Sequence, residues 1–140
     1  MDMHRIALLR ESFALVAPRA APLAALFHQR LMETDPSTRP LFAGIDMVAQ
    51  GAKLMQALSM ALAGLERPDL LVPQLREMAV RHVGYGVRRG HYASFGAALL
   101  WTLQQTLAEK CTPEVTDAWA EAIAILGDVM TDAAYSIRAA

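Results

Sequence analysis

Three polar side chains stand where helical spacing calls for apolar ones. His82 closes a stripe with Leu71, Leu75 and Met78, and His28 shares a face with Ala24 and Leu31 beside Phe27. Gln50 lies one turn before Leu54, on a face with Met47, Gly51, Leu58, Ala61 and Leu65. A buried polar group left without a partner costs about 1–3 kcal/mol, so each needs a backbone group, another side chain, a water or a ligand. A neutral imidazole is also the commonest protein metal ligand. On spacing alone, a metal role for either histidine stays open beside plain hydrogen bonding.

Other chemistry is mostly excluded. No Glu-x-x-His pair exists for a carboxylate-bridged di-iron centre, and no His-x-x-x-His pair for zinc. The single cysteine, Cys111, excludes an internal disulfide and a Cys-based zinc site; it ends a helix beside Lys110 with no basic cluster and reads as inert. Asp128 and Asp132, one turn apart, read as a solvated surface pair. The eight methionines read as adaptable core filler. Thirteen Lys and Arg against fourteen Asp and Glu leave a net charge of −1, which gives no electrostatic footprint for nucleic acid or anionic lipid.

The elements that must position these residues are helices. Hydrophobic residues make up 54% of the chain and charged ones 19%, which excludes intrinsic disorder. Ala (26) and Leu (19) far outnumber Val, Ile and Thr combined (20), so propensity favours helix over strand. No segment keeps the two-residue alternation of a strand, and no Gly-rich phosphate loop can follow one. Prolines punctuate the rest. Pro18 ends a first helix that begins near Asp2, and a second starts near Ala20 with Pro22 in its first turn. Asp35-Pro36 is an N-cap and first-turn pair opening a short turn that Pro40 limits. Helices then run from about Met47 to Gly64, from Pro68 or Asp69 to Gly84, and from Gly90 to Lys110. Thr112-Pro113 opens a last helix to about Arg138, with Val115, Trp119, Ala122, Leu126, Val129 and Ala133 on its inner face. The expectation is one all-α domain over residues 1–140, with six or seven helices packed obliquely or as a bundle.

Asp2, Arg5 and Arg10 interrupt any signal-peptide apolar core. The longest uncharged stretch, Gly90 to Ala108, carries His91, Ser94, Thr102, Gln104 and Gln105 and is a poor membrane span. The expected location is cytoplasmic, with no membrane partner.

The run Arg81-His82-Val83-Gly84-Tyr85-Gly86-Val87, followed by Gly90-His91-Tyr92 and Leu99-Leu100, resembles the proximal side of bacterial single-domain globins and of the globin module of flavohaemoglobins. Phe27-His28-Gln29-Arg30-Leu31, then Asp35-Pro36 and Leu41-Phe42, resembles the second helix and haem-contacting corner of that family. Gln50 through Leu54-Met55-Gln56-Ala57-Leu58 resembles its distal helix, and Asp117-Ala118-Trp119 the start of its last helix. The blocks keep the family's order and spacing over nearly the whole chain.

The resemblance implies a globin fold around a pocket for haem b, with His82 as the proximal iron ligand. It implies Phe42 packed on the porphyrin, Gln50, Leu54 and His28 lining the distal pocket, Val87 and Tyr92 flanking the haem proximally, and Leu99 in the apolar wall. Lys53 is the expected partner of a haem propionate. The sequence departs from the family pattern twice. His28 stands where flavohaemoglobins usually carry a distal Tyr, and a His can donate, accept or become charged near neutrality. The simplest role for it is a bond to Gln50 or a water. Ala134 stands where a glutamate of the last helix would join Tyr92 and the proximal His. None of Ala133, Tyr135 or Ser136 restores a carboxylate, and Asp132 does so only with a larger slip. The broken relay argues against strong peroxidase-like chemistry.

No flavin or nicotinamide domain follows residue 140, so turnover is expected to need a separate reductase. The expected function is reversible binding of oxygen, and of nitric oxide or carbon monoxide, by a monomer or homodimer. The alternatives are nitric oxide dioxygenase or nitrite or peroxide chemistry with an outside reductase, a haem-based gas sensor, and a helical interaction domain without cofactor.

Overall fold

The computed structural model describes the backbone of residues 1–139 and the side chains of residues 1–135. Six α-helices follow in order: α1 (Met3–Val16), α2 (Ala20–Thr34), α3 (Met47–Ala63), α4 (Pro68–Gly84), α5 (His91–Leu107) and α6 (Pro113–Ala139). Among the described residues there is no strand, as the composition requires.

Local chemistry sets the boundaries. Asp2 caps α1 by accepting from the Arg5 N–H at 2.8 Å, and Asp46 caps α3 through the N–H groups of Val48 and Ala49. Thr112 accepts from the Val115 N–H at 3.3 Å and so caps α6 one residue before Pro113. Two boundaries differ from expectation. The turn opened by Asp35 runs as 3-10 helix from Pro36 to Phe42, straight through Pro40. Pro40 lacks an N–H, but its carbonyl still accepts from the Ala43 N–H, so the turn continues. Helix α5 ends at Leu107, and the last three residues to Lys110 tighten into 3-10 helix.

The main core gathers Leu9 and Val16 of α1, Leu23 of α2, Leu62 of α3, Leu103 and Leu107 of α5, and Val115, Trp119 and Ala122 of α6. A buried polar crossing in it is satisfied: the Trp119 indole N–H donates to Ser12 Oγ at 2.9 Å, and Ser12 donates to the Leu8 carbonyl at 2.7 Å. Helix α2 packs on both α3 and α5, while α6 packs on α1, α4 and α5. Helices α3 and α4, although consecutive, are not a packed pair among the described residues. They approach at their joint, where Leu71 lies against Gly64. The His82 end of α4 is instead held from behind, where Ala79 and Val83 meet Ala133, Ala134, Met130 and Tyr135 of α6.

Candidate functional site

His82 sits in the last turn of α4. Its Nδ1–H donates to the Met78 carbonyl one turn back, at 2.7 Å. A carbonyl can only accept, so the proton is on Nδ1 and Nε2 is a bare lone pair. Nε2 has no hydrogen-bond partner among the described residues. Burial lowers the ring's pKa below the ordinary 6.5; the Met78 bond opposes this and nearby Arg81 adds to it. The chain therefore presents a neutral, oriented imidazole of the kind a metal takes. The backbone then turns sharply: the Val87 N–H bonds the His82 carbonyl at 3.0 Å, and Gly86 has φ +98°. A Cβ at Gly86 would stand 3.5 Å from Leu41, so this turn tucks under the corner that follows α2.

Beyond that turn, Val87 is buried and its carbonyl accepts from the Tyr135 hydroxyl at 2.8 Å. The Tyr92 ring lies edge-on to Tyr135 and to Phe95, at 6.5 and 6.1 Å between centroids. The Tyr92 hydroxyl is buried without a partner among the described residues, and burial pushes its pKa up to about 12. Ala134 is buried in the α4–α6 seam with Ala79, so it offers no acceptor to that hydroxyl. Asp132 is exposed; the side chain of Ser136 lies outside the described residues.

His28 is 4% exposed on α2. Its Nδ1–H donates to the Ala24 carbonyl at 2.8 Å. That bond ties the ring to the carbonyl one turn back on its own helix, and no bond to Gln50 is seen among the described residues. The ring sits edge-on to Phe27 and to Phe42, with centroids 4.9 and 5.1 Å away. Burial lowers its pKa below 6.5, against the opposing effect of the Ala24 bond. Expected freedom to charge near neutrality is thus curtailed by desolvation.

Phe42, Leu54 and Leu99 come together in one apolar cluster with Phe27, Leu31, Ala98 and Phe95. Phe42, Leu54 and Leu99 are only partly buried, so they present apolar surface beyond their own packing. Gln50 is half-buried one turn before Leu54, and its side-chain amide bonds no described residue. Lys53 is exposed on α3 and pairs with no described acid.

The expected residues thus fall into a His28–Phe42–Leu54–Leu99 group and a His82–Val87–Tyr92 group. Phe95, which sequence reasoning missed, joins them: it touches Tyr92 and belongs to the Leu99 cluster. The spacing Tyr92, Phe95, Leu99 on one helical face could have found it. A polar network was also missed. The Arg88 N–H donates to His91 Nδ1 at 2.9 Å, which leaves Nε2–H to donate to Ser37 Oγ at 3.0 Å. The Ser37 and Ser94 hydroxyls both donate to Asp35, and these bonds hold its carboxyl below the usual carboxylate range. The network ties the corner before Phe42 to the loop after His82.

Among the described residues no group of three or more His, Cys, Asp and Glu could hold a metal ion. The donor set is one oriented imidazole beside apolar aromatic and leucine surface. That suits a metal that brings its own equatorial donors in a flat apolar ring and needs one axial nitrogen. No helix among the described residues is long and apolar enough to cross a membrane.

A family model described as Globin matches residues 25–130. The flavohemoprotein of Bordetella parapertussis is 31% identical over 138 residues, covering 96% of this chain and 34% of its own length. That of Xylella fastidiosa is 28% identical over 137 residues, with 96% and 34% covered. That of Rhizobium meliloti is 29% identical over 106 residues, with 74% and 26% covered. The chain spans about a third of the length of the first two relatives.

Proposed function

The chain belongs to the globin family, and from that premise we propose that it holds haem b through His82 and reversibly binds a diatomic gas: oxygen, nitric oxide or carbon monoxide. One observation carries the reading. The Met78 carbonyl fixes the proton of His82 on Nδ1, and burial favours the neutral ring, so Nε2 would be the atom that holds the haem iron.

Haem, when bound, supplies an iron atom able to take up the gas. The rest of the work falls to side chains. Phe42, Leu54 and Leu99 would exclude water and hold the porphyrin, with Val87 and Tyr92 on the His82 side. Lys53, exposed and paired with no described acid, would meet a propionate. Gln50 and His28 face the gas. Among the described residues no carboxylate bonds the Tyr92 hydroxyl, so no relay from α6 would make His82 more basic. This favours binding over peroxide cleavage.

Visible spectra of the purified chain test the proposal. The ferrous form is expected to show a Soret band that shifts with carbon monoxide, and His82→Ala to lose that band or the haem. A folded, colourless chain that refuses haem, or a His82→Ala variant with unchanged spectra, overturns it.

A further inference from the structure

Helix α5 carries no Asp, Glu, Lys or Arg over its whole length, although one of its faces is open to solvent. On that face Ala93 and Ala97 lie beside Ala120 and Ala124 of α6, all four exposed, along an apolar groove of about 520 Å³. A surface helix ordinarily shows long charged side chains there, and short ones let another backbone come close. Charge is kept to the two ends, with opposite signs. Tyr92 meets Tyr135 and Gly96 meets Ile123, so the two helices run antiparallel. Arg89 and Thr131 therefore line the same end of the groove. Asp117 stands towards the other end, on an α6 stripe with Ala124 and Thr131 that recurs every seven residues. Neither Arg89 nor Asp117 has an ion pair among the described residues; Arg5 acts on Asp117 only at a distance, being bonded to Glu121.

We propose that this face is where two copies of the chain meet, about a two-fold axis passing beside Ala124. A contact between identical surfaces must match itself after a half-turn. Ala124 is seven residues from Asp117 and seven from Thr131, about 10 Å each way along the helix. The half-turn lays Asp117 over the partner subunit's Thr131, beside the partner subunit's Arg89, and the reverse pair forms with it. Asp128, four residues to one side of the axis, comes opposite the partner subunit's Ala120, so no two acids are opposed. A foreign partner would need this pattern by coincidence, whereas a second copy carries it already. The face is about 20 Å long and about 20 Å wide, so roughly 800 Å² is covered in total, at the weak end of specific interfaces. A dissociation constant of about 100 μM is expected, with the end pairs setting register more than affinity. The proposal goes beyond gas binding and holds for the chain with or without haem.

Sedimentation equilibrium of the full chain, with and without haem, tests it. Monomer is expected to give way to dimer between about 10 μM and about 1 mM. Ala124→Arg sets two cations face to face at the axis and is expected to weaken the dimer at least about tenfold. Arg89→Glu and Asp117→Arg are each expected to weaken it, and the two together to restore it, because the exchange keeps the ends complementary. Circular dichroism checks that each variant folds; should Ala124→Arg fail to fold, the charge exchange decides alone. A parent that stays monomeric throughout, a dimer that a folded Ala124→Arg leaves within about twofold, or a double variant no tighter than the weaker single one overturns the proposal. Each of these leaves the haem reading standing, which the spectra test separately.

Discussion

Gly51 of α3 and Ala24 of α2 meet so closely that a Cβ on Gly51 would stand 2.9 Å from the Cβ of Ala24. Both Cβ atoms are fixed directly to helix backbones, so nothing flexible can yield. The crossing fixes the two residues that matter next to it: His28 lies one turn on from Ala24, and Leu54 one turn on from Gly51. Gly51→Val is therefore expected to cost about 1–3 kcal/mol in urea unfolding through overpacking. Ala24→Gly in the same chain should return part of that loss. A Gly51→Val variant as stable as the parent would mean that the helices are free to separate.

The Tyr92 hydroxyl is buried with no partner among the described residues. Such a group was stripped of water for no return. Tyr92→Phe removes the burden without opening a cavity, and the haem-free chain is expected to gain about 1 kcal/mol in denaturant titration. A loss of similar size would show that the hydroxyl has a bond which the described geometry lacks.

Much of this architecture was legible because helix ends and apolar stripes are local signals. Asp35-Pro36, Thr112-Pro113 and Pro68 mark starts that the chain uses, and the Leu71–Leu75–Met78–His82 stripe isolates His82 before any fold is known. What periodicity cannot supply is the direction of a proton. It places His28 and His82 on inward faces, but only the carbonyls of Ala24 and Met78 decide which nitrogen is bare. The Asp35–Ser37–His91 network was hidden for another reason: it joins the turn after α2 to the start of α5, and no spacing along the chain encodes that meeting. Pro40 misled because its missing N–H suggests a stop, while its carbonyl still closes the next turn.

Stability should fall on mild acidification, and His28 should carry part of the fall. Burial holds its folded pKa below the ordinary 6.5, so below that value the unfolded chain binds a proton that the folded chain refuses. The contribution is complete above about pH 6.5. It is lost as pH falls towards the folded value and then levels off. His82 moves the same way for the same leading cause. Urea titrations of the haem-free chain between pH 8 and 5.5 should show this slope, and His28→Leu should flatten it. An unchanged slope in that variant would place the acid sensitivity elsewhere.

His91 is buried and bonds both the Arg88 N–H and Ser37 Oγ. Replacing it by Leu keeps the bulk but strands the Arg88 N–H and frees Ser37. A loss of about 1–3 kcal/mol is expected, with faster hydrogen exchange concentrated at residues 85–90. Because that loop follows His82, the haem-loaded variant should also release haem faster than the parent. Unchanged exchange at the Arg88 amide would show that the loop is held by the Val87 and Tyr135 contacts alone.

Ala108 ends α5 with φ +51° and ψ −121°, a conformation that L side chains rarely adopt. The strain has a local purpose: the residue turns the chain out of α5 so that Ala108–Lys110 can wind into 3-10 helix and deliver Thr112 to cap α6. Glycine takes the same backbone path without a Cβ to clash. The side chain at 108 is exposed, so little packing is lost with it. Ala108→Gly is expected to raise stability by about 1 kcal/mol, the relief of strain outweighing the greater freedom of glycine in the unfolded chain. Equilibrium unfolding compared with Ala108→Val, which should be clearly less stable than the parent, separates strain from packing. If glycine proved the more destabilising of the two, the turn would have to be held by something other than backbone conformation.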